Sequence, residues 1–166
     1  VGLAAYSVYS SVRAIATDGI DHLLNAKAAI PISKSNPLEA LDPQHLQQAQ
    51  GEFRRAEVDF IQLQQLVERA DVQSAVNQVS PDYGDKLIMA DHLVQVALDV
   101  SRMGDEMSGV ALIGAGIIHG SPLASGSTKP LISVADMQAI EGSLVHALYY
   151  ISDIRMQMSH VQLKDL

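Results

Sequence analysis

The feature that most constrains this chain is an apolar repeat that alternates between steps of three and four residues. It runs through three long segments separated by stretches that contain proline. A face that recurs every 3.5 residues predicts a helix packed along one side, and no strand produces that spacing. The repeat positions are Leu46, Ala49, Phe53, Ala56, Phe60, Leu63, Val67 and Ala70; Met89, Leu93, Val96, Val100, Met103, Met107, Val110, Gly114 and Ile117; and Met137, Ile140, Leu144, Ala147, Ile151, Ile154, Met158 and Val161.

A fourth helical segment precedes these three and extends from Val1 to Ile30. Its apolar positions first follow the same steps and are Val1, Ala5, Val8, Val12 and Ile15. They then move to Ile20, Leu23, Leu24 and Ala28, which predicts a phase shift at Gly19. Pro31 and Pro37 enclose a loop that cannot continue this helix.

Capping signals place the starts of two helices. Asp42 is a predicted N-cap, followed by Pro43 at the first helical position. Ser133 with Asp136 is a weak form of the capping box. Residues 71–80 either prolong the second helix or form a looser turn before Pro81, and residues 119–131 are predicted to be a flexible loop.

These segments predict an all-α protein, a long up-down-up-down four-helix bundle in which residues 1–166 form a single helical-bundle domain. A helix of 30 residues is about 45 Å long, and the four segments are of similar length, so they can pack side by side in alternating directions. Short extra helices in the loops are compatible with this pattern. The residues that we expect in the core are Phe53, Phe60, Leu63, Val96, Val100, Leu144, Leu148 and Ile151.

Composition excludes several functional classes. Nineteen Asp and Glu against eleven Lys and Arg give a formal charge of −8, so nucleic acid is not an expected partner. The chain has no cysteine, which excludes disulfides, thiolate metal sites and cysteine nucleophiles. We therefore expect no cofactor.

The strongest local candidate for metal binding is the group Asp18, Asp21 and His22, spaced to lie on adjoining helical faces. No Glu has a His three residues later, as di-iron bundles require, so we expect no metal and no metal-ligating residues. His92 and His146 are expected to be buried and hydrogen-bonded, and the methionines to lie in the core. The carboxylates expected on a solvated face are Glu52, Glu57, Asp59, Glu68, Asp99, Asp105 and Glu106. With no predicted acid and base pair and no serine elbow, we expect no catalytic residues and no enzyme.

The first residues, 1–12, carry no charge before Arg13. Two interpretations stay open for them. They are either the outer end of a transmembrane helix, with Tyr6 and Tyr9 at headgroup level, or the start of an ordinary core helix. The first interpretation implies a membrane-spanning helix that precedes Val1.

The arrangement as a whole resembles the bacterial domain-of-unknown-function family 4012. The residues that carry the likeness are the apolar first helix, Leu46, Ala49, Phe53 and Ala56 in the second, the pair Pro81 and Gly84, and the long Leu- and Ala-rich helices after them. The resemblance implies a membrane-anchored envelope protein with a helical extracytoplasmic region, and no catalytic residues.

Two functions follow as expectations. The first is a noncatalytic extracytoplasmic scaffold or interaction domain of a bacterial membrane-anchored envelope protein, whose partner is another envelope protein or a second copy of itself. The alternative is the ectodomain of a sensor, a four-helix bundle in which a small ligand shifts one helix against its neighbours. The sequence does not identify a ligand, a partner or a biological process.

Overall fold

A computed structural model describes residues 2–31, 37–69, 72–74, 82–119 and 132–161 of the chain, and in these ranges it is helical with no strand. The long helices are α1 (Gly2–Ala29), α2 (Pro43–Val67), α3 (Asp82–His119) and α4 (Val134–His160). A short 3-10 helix, Pro37–Leu41, precedes α2. The predicted all-α class is confirmed. Most of the predicted loop at 119–131 and of the predicted segment at 71–80 lies outside these ranges.

Both predicted caps are present. The Asp42 carboxylate accepts hydrogen bonds from the backbone N–H groups of Gln44 at 2.8 Å and His45 at 3.2 Å. The Ser133 hydroxyl accepts from the Asp136 N–H at 3.1 Å, and the Asp136 carboxylate accepts from the Ser133 N–H at 3.0 Å. This capping box satisfies donors that the first turn of α4 would otherwise leave unpaired.

Each long helix packs on its neighbour in the chain: α1 on α2, α2 on α3 and α3 on α4. The α2–α3 pair is antiparallel, because Arg54 near the middle of α2 reaches Asp105, while Gln64 at its end reaches Gln95, earlier in α3. Similar contacts make the other two pairs antiparallel as well. Among the described residues, α4 has no extensive packing against α1 or α2.

The core lies where α1, α2 and α3 meet, and it is centred on Phe60, Leu63 and Leu98. Gly19 of α1 lies against the ring of Phe60, so close that an added Cβ would come within 2.8 Å of it. The seam of α1 therefore runs straight through Gly19. The phase shift predicted there is wrong, because Ile20 and Leu24, which suggested it, are exposed.

The burial predictions succeed for α2 and fail for α4. Phe60 and Leu63 are buried as expected, and Phe53, Val96 and Val100 are partly buried. Leu144, Leu148 and Ile151 are exposed, with Leu148 at 67%, contrary to the prediction. The physical reason is that, among the described residues, the extensive packing of α4 is on α3, through a face that contains Ala147, so the neighbouring apolar stripe stays exposed.

No helix in the described parts of the chain combines the length and the apolar character needed to cross a bilayer. The side chains of residues 1–7 lie outside the description, and the interpretation of residues 1–12 as the end of a membrane helix stays a prediction. Of the remaining residues in that stretch, Val12 packs on the core and Tyr9 is exposed.

Candidate functional site

His22, a member of the candidate metal group that the sequence analysis set aside, contacts two carboxylates on α2 and joins α1 to α2. Its Nδ1 lies 2.6 Å from Glu52 Oε2, and its Nε2 lies 3.7 Å from Asp59 Oδ2. Burial raises the pKa of Asp59; His22 opposes that shift, and the charge of Asp18 adds to it. Asp21 is exposed and takes no part in these contacts.

The two carboxylates that replace the predicted trio approach opposite nitrogens of one imidazole ring. One metal ion cannot bind both nitrogens of the same ring, so this geometry suits an ion-paired histidine better than a chelate. Within the described ranges, no three His, Asp or Glu side chains form a group that could hold a metal ion. Arg55 completes the cluster with an ion pair to Glu52 at 2.6 Å.

The most unusual polar group in the molecule is the carboxyl of Asp99 on α3, which is only 1% exposed. Burial raises the pKa of Asp99 to about 6, and the hydrogen bond and charge of Asp153 on α4 act in the same direction. A hydrogen bond from Gln95 and the charge of Arg102 partly oppose the shift. Because burial disfavours the charged form and the charge of Asp153 repels a second carboxylate, the protonated form of Asp99 is favoured here.

Asp99 belongs to a polar network that crosses three helices. Gln64 on α2 donates to Gln95 Oε1 at 3.3 Å, and Gln95 donates to Asp99 Oδ1 at 3.2 Å. Beyond Asp99, Gln157 on α4 donates to Asp153 Oδ2 at 3.5 Å. Side-chain amides suit such a network because each one both donates and accepts. The network therefore links the protonation of Asp99 to the contacts of α4 with α3.

The network ends at a pair of histidines. His92 Nδ1 lies 2.6 Å from Gln157 Oε1, and the His92 and His160 rings stack with centroids 5.0 Å apart. His92 is partly buried and hydrogen-bonded, close to the expectation. His146 is hydrogen-bonded but exposed, so its predicted burial is wrong.

A second polar contact between α3 and α4 is centred on Glu106. It accepts a hydrogen bond from the Ser143 hydroxyl at 2.5 Å and lies 2.9 Å from His146 Nδ1. These two hydrogen bonds lower the pKa of Glu106, Ser143 having the larger effect. Glu106 is thus held as a carboxylate that fastens α4 to α3.

Sequence reasoning missed the buried pair because it assigned Asp99 to a solvated face, and the structure corrects this. Asp99 directly precedes Val100, a repeat position, and Asp153 directly precedes Ile154, another. Each of two neighbouring helices thus has a carboxylate beside its apolar seam, and this pattern is the signal that could have indicated the contact between Asp99 and Asp153. The seam alone could not reveal that the two residues share one level of the bundle.

An apolar cleft with a volume of about 410 Å³ lies between α2 and α3, beside the end of α1 and the 3-10 helix. Phe53, Met103 and Met107 form part of its wall. Concave apolar sites of this size accept small molecules, and methionine adapts to varied shapes.

The expectation that the methionines lie in the core is wrong for Met137, Met156 and Met158, which are exposed on α4.

Protein-family models, curated proteins and solved structures were compared with the chain, and none of them matches it.

Proposed function

We propose that this chain is a noncatalytic helical scaffold or interaction domain of a bacterial membrane-anchored envelope protein, on the extracytoplasmic side. The observation that carries the proposal is the apolar surface left uncovered on the outer helices. A large exposed apolar patch on a folded domain usually marks a site of interaction with another molecule. On these two helices, the exposed large apolar side chains are Tyr9, Ile20 and Leu24 on α1, and Val134, Met137, Leu144, Val145, Leu148, Tyr149, Ile151, Met156 and Met158 on α4. Fewer are exposed on the inner helices: Val58 on α2, and Ile88, Leu93 and Ile118 on α3.

The proposed architecture is an up-down-up-down four-helix bundle that is left open at one side. The antiparallel contacts of consecutive helices support the up-down order. Closure of the bundle would require α4 to pack along α1, and the apolar faces of both helices are the surfaces that such packing would cover. In an interaction domain, a partner supplies this cover.

A noncatalytic role agrees with the accessibility of the acidic groups. Asp99 has the raised pKa expected of a general acid, but its side chain is buried between helices. Glu106 is occupied by Ser143 and His146. Neither group is placed to reach a substrate, and both hold α4 on α3.

The proposed location can be tested with the protein as the bacterial cell makes it. Because the sequence has no cysteine, Gln62→Cys on the exposed face of α2 introduces a single reactive thiol. In intact cells, a membrane-impermeant maleimide should label this thiol. Ser101→Cys, at a fully buried position, is the control that should stay unlabelled in the folded protein. Labelling of Gln62→Cys only after the inner membrane is disrupted would contradict an extracytoplasmic location.

The apolar cleft favours the alternative function, a sensor ectodomain that binds a small ligand. An uncharged fluorescent probe such as N-phenyl-1-naphthylamine should then bind with a stoichiometry of one per chain. Ala111→Phe, in the cleft wall, should abolish this binding, whereas Ala135→Phe on the exposed surface of α4 should not. Equal probe binding by both variants would assign the probe to the exposed faces and contradict the ligand site.

A further inference from the structure

The exposed stripe on α4 has the same order of residue classes from either end: a methionine, a charged residue, an aliphatic residue and a central leucine. Its seven positions follow steps of four and three residues and are Met137, Glu141, Leu144, Leu148, Ile151, Arg155 and Met158. All seven side chains are exposed. They form a line roughly 30 Å long at 1.5 Å of rise per residue, next to the face that packs on α3. We call this line the α4 stripe.

An antiparallel pairing of two α4 stripes brings residues of the same class close together. With Leu148 on the two-fold axis, Leu144 of one copy and Ile151 of the other differ in level by about one residue, or ~1.5 Å, because they lie four and three residues from Leu148. Met137 and Met158, eleven and ten residues from Leu148, differ in level by the same amount. A two-fold interface has this property, because one surface must complement itself.

The charges on the stripe complete this match. Glu141 and Arg155 both lie seven residues from Leu148, on opposite sides of it. In the antiparallel pair, each Glu141 therefore faces an Arg155 of the other copy. Among the described residues, neither of the two has an ion-pair partner within its own chain. A parallel pairing would instead place Glu141 against Glu141 and Arg155 against Arg155, which repel.

We propose that the α4 stripe is the interface of an antiparallel homodimer, in which Leu148 lies on the two-fold axis and Glu141 pairs with Arg155 of the second copy. This inference rests on the proposed function as an interaction domain and names a second copy as the partner. One helix from each copy forms a contact at the low end of stable interfaces, near 1,200 Å² in total. The dimer is therefore expected to form reversibly and to depend on concentration.

Charge reversal tests the pairing without removing apolar surface. In sedimentation velocity, the full chain should shift from monomer to dimer as its concentration rises. Glu141→Arg and Arg155→Glu should each raise the dimer dissociation constant by about tenfold or more, since like charges then face each other. The double variant Glu141→Arg/Arg155→Glu should restore dimerisation, because it exchanges the two charges. Circular dichroism checks that each variant is folded.

Leucine variants separate this stripe from the other exposed apolar face. Leu148→Arg should give a monomer, whereas Leu24→Arg, at a leucine of similar exposure on α1, should leave the dimer unchanged. Loss of the dimer in Leu24→Arg alone would place the interface on α1 and overturn the inference.

Disulfide trapping tests the direction of the helices, because the native chain has no cysteine. Leu148→Cys should crosslink to itself across the axis. Met137→Cys should not, since its two copies lie about 30 Å apart in the antiparallel pair, while a disulfide needs Cα atoms within about 7 Å. Efficient crosslinking of Met137→Cys would show a parallel pair and overturn the proposal.

The two proposals can fail separately. A wild-type chain that stays monomeric at every concentration overturns the homodimer, as does an unchanged dimer in both charge reversals. Neither result alters the labelling of Gln62→Cys in cells, which tests the extracytoplasmic location. An absence of that labelling leaves the dimer measurements unaffected.

Discussion

The ring of Phe53 on α2 lies where a β-carbon of Gly104 on α3 would be. The nearest ring atoms include Cγ, at the base of the ring, so the ring cannot avoid an added methyl group by moving its tip alone. Gly104 is thus the hole and Phe53 the knob of the α2–α3 contact. Arg54 directly follows Phe53, and Asp105 directly follows Gly104. These two residues form an ion pair in which Arg54 Nε lies 3.1 Å from both carboxylate oxygens of Asp105.

The first prediction concerns the glycines of α3. Gly104→Ala should lower the free energy of unfolding by ~1 to 3 kcal/mol, the usual cost of overpacking, because Phe53 must shift. Gly114→Ala is the matched control: its β-carbon would meet open space, and helix propensity favours alanine over glycine by about 1 kcal/mol. Urea titration should therefore give changes of opposite sign, and destabilisation of similar size in both would contradict the knob and hole at Phe53.

The second prediction tests the core seam of α2. Leu63→Ala should cost ~2 to 5 kcal/mol of stability, as for other buried leucines, because Leu63 belongs to the central cluster. Gln62→Ala, one position earlier and exposed, should be within about 0.5 kcal/mol of wild type. Gln64 is a poorer control because it donates to Gln95. Equal losses for Leu63 and Gln62 would show that the face is wrong.

The periodicity predicted the helices well because it reports the angle between apolar residues on one helix. It identified Phe60 and Leu63 correctly, and the caps at Asp42 and Ser133 follow from local hydrogen bonding. Periodicity contains no information about which neighbour covers a face. Leu63 and Leu148 both lie in helices with apolar residues three and four positions away. Leu63 is buried in the central cluster, whereas Leu148 is exposed because no described helix covers it.

The candidate site was less predictable because it depends on contacts distant in sequence. His22 could be singled out locally, but its actual partners, Glu52 and Asp59, are on another helix. Asp99 and Asp153 are 54 positions apart, and only the register of α3 against α4 brings them together. The sequence pattern suggested a phase shift at Gly19 because glycine has no apolar side chain, yet Gly19 continues the seam by lying against the Phe60 ring.

The third prediction concerns pH. The folded-state pKa of Asp99 is about 6, above its ordinary value of 3.8, so the folded state binds this proton more tightly than the unfolded state. Stability from this group is therefore present below pH 4 and is lost as the pH rises towards and through 6. Asp99→Asn mimics the protonated acid, and the loss should be absent in it.

The measurement is the difference in unfolding free energy between Asp99→Asn and wild type from pH 4 to pH 7. It should move in favour of the variant as pH rises, by up to about 3 kcal/mol. Arg102 and Tyr150, which also lie near Asp99, are common to both proteins and largely cancel in this difference. Asp153 interacts directly with the Asp99 carboxyl, so the measured change belongs to the pair. Asp21→Asn, at an exposed carboxylate, is the control. A difference that does not vary with pH would contradict the raised pKa of Asp99.

The fourth prediction is that His22 serves as an ion-pair partner and not as a metal ligand. Its two nitrogens approach Glu52 and Asp59, so a metal ion on either nitrogen would have to displace one of these contacts. Zinc added at an equimolar, micromolar concentration should therefore neither bind in isothermal titration nor raise the melting temperature, and elemental analysis of the purified chain should find no stoichiometric transition metal. His22→Ala should lower stability, because it removes the contact to Glu52 and the ring nitrogen that lies nearest to the buried Asp59 Oδ2. Asp21→Ala, at an exposed residue of the candidate group, should change neither zinc binding nor stability. One metal ion per chain that is lost in His22→Ala would contradict both the ion-pair role and the expectation that the chain binds no metal.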